Sequence, residues 1–344
     1  MTFTSCSTRV LRLVTGAVVI SSMLTLGTPS ILSASASVGI FFGPASVAVS
    51  RTHVWVTNES NSVTELNASN GSLVRVINAA ADGFNYPYGV AVSGTHVWVT
   101  NTSGNSVTEL NASNGSLVRV INAAADGFSS PNGVAVGGNH VWVTNSNRSS
   151  VTELNASNGS LIRVINAAAD DFSSPGGVTV SGTHVWVTNI NRPVPSVTEL
   201  NASNGSLVRV INAAADGFNN PVSVAVSGAH VWVTNQTGNS VTELNASNGS
   251  LVRVINAATG GFSFPDGVAV SGTHVWVTNQ TGNSVTELNA SNGSLVRVIN
   301  AATGGFNISI SVAVSGTHVW VVNGGGKSVT ELNASNGALV RVIH

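Results

Sequence analysis

The sequence has 344 residues, 42 % of them hydrophobic and only 8 % charged, with a net charge of −1 at neutral pH. A chain so near neutrality offers no electrostatic footprint for nucleic acid or for an anionic membrane surface. Its one cysteine, Cys6, falls in a segment expected to be removed on export, which excludes disulfide and thiol chemistry from the mature chain.

That segment comes first. Arg9 and Arg12 give a positive start, Leu13 to Leu26 is an uncharged apolar run, and Ala34-Ser35-Ala36 is a small-x-small cleavage pattern. Residues 1–36 therefore read as a signal peptide, with maturation at Ser37 and a secreted, extracellular or cell-surface destination. The run is shorter than the roughly 20 residues a helical span needs, and Thr, Gly and Ser interrupt it. No membrane span is expected after the signal is removed.

The remainder is a repeat. All seven tryptophans recur at nearly constant spacing: Trp55, Trp98, Trp142, Trp186, Trp232, Trp276 and Trp320. Seven units of about 44 residues account for 37–344 and leave no room for a second domain. Their expected limits are about 43–86, 87–130, 131–174, 175–220, 221–264, 265–308 and 309–344.

Within the unit that starts at Pro87, four runs rich in Val, Ile and Thr predict strands A to D: Gly89–Ser93, His96–Asn101, Ser106–Asn111 and Leu117–Ile121. Ser-Gly-Thr, Thr-Ser-Gly-Asn and Ala-Ser-Asn-Gly separate them, and Asn114-Gly115 is expected to supply two left-handed residues to a tight hairpin. The linker Asn-Ala-Ala-Ala-Asp-Gly-Phe has room for one helical turn and no more. Four short strands per unit is the period of a propeller blade, and no 3.6-residue pattern supports a helical solenoid. The predicted fold is all-β: a seven-bladed β-propeller with four antiparallel strands per blade. Blades stack face to face, which accounts for the near-continuous apolar character of strands A and B.

Trp98-Val99-Thr100-Asn101, the preceding Pro-x-Gly-Val-Ala-Val and the following Asn-Ser-Val-Thr-Glu-Leu-Asn give the repeat its likeness to known propellers. It resembles the YVTN family, with related repeats in NHL-type propellers and streptogramin (virginiamycin B) lyases. Trp replaces the family's Tyr throughout, and the last unit reads Trp320-Val321-Val322-Asn323. The resemblance covers all seven units and implies the fold. It implies function only weakly, because such propellers serve unrelated roles. A lyase of that kind would need a His and Glu set with a divalent metal near the axis, whereas strand-A starts and B–C loops here carry no histidine and Asp266 is the one axial acid.

Strand alternation places the B–C and D–A loops on one face and the A–B and C–D turns on the other. The second face hardly changes between units. The first changes at every unit: after the proline position the series runs Ala45, Tyr88, Asn132, Gly176, Val222, Asp266 and Ile310, and all length differences lie in B–C loops. Drift after duplication would vary such loops, and so would selection for binding. The only tyrosines fall there. Candidate ligand-binding residues are Tyr86, Tyr88, Asn132, Arg148, Arg192 and Asp266.

The constant features have structural explanations. Seven histidines before Val-Trp (His53 to His318) are spread too widely for one metal ion. Glu109 and Arg119, with their six copies, are expected to pair across strands C and D as exposed ion pairs. Asn-Ala-Ser and Asn-Gly-Ser match a glycosylation acceptor pattern, although the hairpin already demands these residues. No catalytic residue, metal or cofactor is assigned. The sequence reading is a secreted, monomeric, non-enzymatic propeller that binds a glycan, peptide or protein on the variable face. The alternative is a lyase-like metal-dependent enzyme using the same face. Each terminus keeps its own four-stranded unit, so ring closure is expected to rest on side-chain contacts, with Phe41 aligned to the linker Phe84 and Phe128.

Overall fold

The computed structural model describes residues 39–122, 124–166, 168–190 and 194–344. The expected signal peptide and Arg192 lie outside the described residues. Seven four-stranded antiparallel sheets form, each from consecutive strands in the order A-B-C-D. In blade one these are Pro44–Val49, His53–Asn58, Ser62–Asn67 and Leu73–Ile77. In blade two they are Pro87–Ser93, His96–Asn101, Ser106–Asn111 and Leu117–Ile121. Each of the first four linkers holds one 3₁₀ turn, and the last two hold four-residue α turns at Ala257–Gly260 and Ala301–Gly304.

The Trp-Val-Thr-Asn motif divides the labour of assembly. Each Trp is fully buried and packs against the next blade: Trp98 sits with Phe128, Val141, Val143 and Leu154. The Asn, also buried, donates to two hydroxyls of strand C; Asn101 Nδ2 reaches Ser106 Oγ at 3.1 Å and Thr108 Oγ1 at 3.0 Å. The Thr ties neighbouring blades together. Thr100 Oγ1 accepts the Gly89 N–H at 2.8 Å and donates to the Asn132 carbonyl of blade three at 2.7 Å. Equivalent bridges run from Thr57 to Tyr88, Thr144 to Gly176, Thr188 to Val222 and Thr234 to Asp266.

Strand A begins two residues earlier than expected, at the proline. Its register against strand B slips between Pro87 and Val90, so Tyr88 and Gly89 form a bulge opposite Thr100. Proline is tolerated because strand A is the inner edge of its sheet, and the bulge re-aims the residue after it. Gly89 is required by close approach, since a Cβ there would stand 2.3 Å from the Asn132 carbonyl oxygen.

Two expectations need correction. Only Gly115, at φ 68°, is left-handed in the C–D turn. Asn114 instead accepts the Ser116 N–H at 2.9 Å, and Asn111 accepts from Ser113 N–H and Oγ. The turn is thus closed by side-chain acceptors plus one glycine. Secondly, the Glu–Arg pairs form but are not exposed. Glu109 is fully buried, with Oε2 2.7 Å from Arg119 Nε and Oε1 2.6 Å from His96 Nδ1. The same His–Glu–Arg triad recurs in all seven blades. The carboxylate can only accept, so each imidazole turns Nδ1–H inward. Burial pushes Glu109 above the ordinary carboxylate range, against the opposing pull of Arg119 and His96.

Among the described residues no strand is exchanged between the first and last blades. Phe41 occupies the position of the linker phenylalanines, buried with Trp320 and Val322 of blade seven and Val54, Val56 and Leu66 of blade one. Across this seam Val322 stands where the other blades carry Thr, and the Val47 N–H donates to Ser311 Oγ at 3.3 Å.

Candidate functional site

The bulges at the seven strand-A starts point their residues toward one axial cavity of about 370 Å³. All seven members of the variable series line it: Ala45, Tyr88, Asn132, Gly176, Val222, Asp266 and Ile310. The position after each is small, Gly or Ser, because the neighbouring blade's backbone crosses there. The cavity is asymmetric although its scaffold is seven-fold.

Going round the ring, Asp266 of blade six lies between Val222 and Ile310. Ile190, from the blade-four B–C loop, meets Gly176: a Cβ on that glycine would stand 2.6 Å from Ile190 Cδ1. Ile190, Val222, Ile310 and Ala45 therefore make an apolar arc interrupted by one carboxylate. In a seven-membered ring the positions opposite blade six belong to blades two and three, which supply Tyr88 and Asn132. Asn220 and Gln236 add amides at the rim, with Gln236 Nε2 3.5 Å from Asp266 Oδ2.

Electrostatics follow from this enclosure. Burial pushes the Asp266 carboxyl up to about 7. Tyr88 is pushed up to about 12, chiefly by desolvation, with Asp266, Glu59 and Tyr86 adding repulsion. About a third of its surface stays open (37 %), and the phenol is neutral at any physiological pH.

Three of the six candidates thus converge: Tyr88, Asn132 and Asp266. Tyr86 is partly exposed on the same face, held at φ 57° by its N–H donated to Asn61 Oδ1 at 2.8 Å, and does not line the cavity. Arg148 is exposed in the blade-three B–C loop, also away from the cavity. Gln236 and Ile190 were not among the candidates. Their signal was available: the residue directly after Trp-Val-Thr-Asn is a second variable series, Glu59, Thr102, Ser146, Ile190, Gln236, Gln280 and Gly324. Among the described residues no three His, Cys, Asp or Glu side chains converge as a metal set would.

No curated protein matches the sequence. Many solved structures share its fold. Hydrazine synthase of Kuenenia stuttgartiensis superposes with a TM-score of 0.71 at 16 % identity, covering 85 % of this chain and 96 % of that one. A catalytically inactive virginiamycin B lyase from Staphylococcus aureus, solved with quinupristin, gives 0.71 at 18 % identity, with 84 % and 94 % covered. BamB from Moraxella catarrhalis gives 0.55 at 15 % identity, with 84 % and 82 % covered. At such identities the likeness is one of fold alone. The family match does not reach the YVTN resemblance of the repeat motif: residues 15–253, more than half of the chain, fit the PQQ_2 model, and the chain belongs to this family, described as outer membrane protein assembly factor BamB.

Proposed function

We propose that this protein is an exported, non-enzymatic propeller that binds a glycan, peptide or protein segment in the axial cavity of its variable face. One observation carries the reading. The seven positions at which the repeats differ most systematically all line a single cavity, while the turns of the opposite face stay nearly uniform. Identical turns present a seven-fold-symmetric surface, whereas a non-symmetric ligand needs unequal contacts. An apolar wall with a few fixed polar groups is the usual composition of a binding pocket. The Arg9-to-Ala36 pattern and a family described by an outer-membrane assembly factor both support export.

The test is a glycan and peptide array probed with the mature protein, followed by paired variants. Tyr88→Ala and Asn132→Ala should each weaken a captured ligand about tenfold, near 1.4 kcal/mol. Thr95→Ala and Ser113→Ala on the uniform face should leave it unchanged. The reverse pattern would move the functional surface to the repetitive face.

A further inference from the structure

The axial cavity contains a charge without a counter-charge. Asp266 is its only acid, and no Arg, Lys or His lines it among the described residues. The carboxylate's neighbours in the ring are Val222 and Ile310, and among the described residues its one side-chain hydrogen bond is the long approach of Gln236 Nε2 at 3.5 Å. The backbone does not need an acid here. The Asp266 carbonyl alone meets the Thr234 bridge at 2.6 Å, and the same ring position elsewhere holds Ala, Tyr, Asn, Gly, Val or Ile. A partly desolvated carboxylate that the fold does not use, set in an apolar arc, calls for a cation from outside.

We propose that the ligand is a peptide with a free amino terminus, its α-ammonium group seated on Asp266. This rests on the axial-site reading above and narrows it. The rest of the cavity suits the first residues of such a peptide. Val222, Ile310 and Ile190 flank the carboxylate with room for an aliphatic first side chain. Asn132, Asn220 and Gln236 offer donors and acceptors for peptide groups, and the neutral Tyr88 ring lines the opposite wall. An amino sugar would also bring an ammonium, but it would leave this aliphatic arc facing hydroxyls. The raised Asp266 carboxyl supports the assignment, because a group held near 7 by burial alone gains most from an incoming cation. The groups facing it among the described residues are Tyr88 across the cavity and Gln236 beside it, and Glu59 and Tyr86 act on Tyr88 in turn.

The experiment is calorimetric titration of the full mature protein with leucyl-alaninamide, its N-acetyl derivative and glucosamine. Leucyl-alaninamide should bind, with at least about tenfold loss on N-acetylation and a similar loss in Asp266→Asn. Asparagine already occupies the equivalent position as Asn132, so that variant should fold. Affinity should fall below about pH 7 as Asp266 protonates, and above about pH 8 as the amine loses its proton. Arg192, outside the described residues, is tested directly. Amine binding that appears only in Arg192→Ala would mean that the chain supplies its own cation, and would overturn the proposal. So would glucosamine binding more tightly than the peptide, or failure of the free peptide to bind. Equal binding of free and acetylated peptide, lost on Tyr88→Ala but indifferent to Asp266→Asn, would overturn the amine assignment while leaving the axial site standing. Loss of all binding on Thr95→Ala or Ser113→Ala alone would overturn both.

Discussion

The two faces of this ring are built from the same strands, yet they follow opposite rules. On the A–B and C–D face each turn is fixed by its own internal bonding: Asn111 and Asn114 accept from Ser113 and Ser116, Gly115 takes the left-handed position, and the buried Glu109 anchors His96 and Arg119 from below. Almost every residue there has a structural duty, so almost none can vary. On the B–C and D–A face the scaffold is held by backbone groups. The Thr bridge reads a carbonyl, whatever side chain that residue carries. Because backbone bonding holds the cavity wall, its side chains are free to differ, and seven near-identical repeats can build one asymmetric site.

That contrast can be broken at the triad with the largest expected effect. Glu109→Ala leaves Arg119 and His96 without their buried carboxylate and should cost about 3–5 kcal/mol of stability, measured by denaturant unfolding. Equal stability would mean that the triad is solvated, contrary to the complete burial of the glutamate.

The blade-bridging Thr gives a smaller effect. Thr144→Val leaves the Gly133 N–H and the Gly176 carbonyl without their shared hydroxyl and should cost about 1–3 kcal/mol. The reciprocal change, Val322→Thr, adds a hydroxyl at the closing seam and should stabilise by about 0.5–1.5 kcal/mol if the two seams are otherwise alike.

On the other face the sign is reversed. Asp266 has a raised carboxyl in the fold, so the folded state holds its proton up to about pH 7 while the unfolded chain loses it near 3.8. Stability from this group is therefore full below about pH 4 and is lost as pH rises to 7. Asp266→Asn should match the parent at pH 4 and exceed it at pH 8. The shift alone would give about 4 kcal/mol, and the solvent still reaching the side chain reduces this to about 1–2 kcal/mol. A residue whose replacement stabilises the ring is one the fold does not need.

How much of this was legible depends on which forces are local. Strands B, C and D could be read to the residue, because Val, Thr and Ile runs end at glycine and asparagine turns. The start of strand A was read two residues late at Pro87, because a bulge lets proline enter an inner edge. The Glu109–Arg119 pair was legible from cross-strand register, but its burial was not, since that depends on His96 and the next blade covering it. Tyr88, Asn132 and Asp266 were legible as one variable series. Gln236 and Ile190 were harder to read, because they reach the axis from the B–C loop, on a different strand connection from the strand-A series. Tyr86 and Arg148 share the face but not the cavity, since sequence position settles the face of a loop residue and not its distance from the axis.

The most direct test of the two-face contrast uses the distribution of two residue types. The chain has only two tyrosines, Tyr86 and Tyr88, both on the variable face, whereas seven of its eight histidines begin strand B beside the uniform turns. Protein carrying isotope-labelled tyrosine and histidine can be titrated, with NMR detection, using the tightest-binding member of the glycan and peptide panel. Binding at the axial cavity predicts that the tyrosine signals move, Tyr88 most, while the seven strand-B histidine signals stay in place. Histidine signals that move while both tyrosines stay fixed would contradict it.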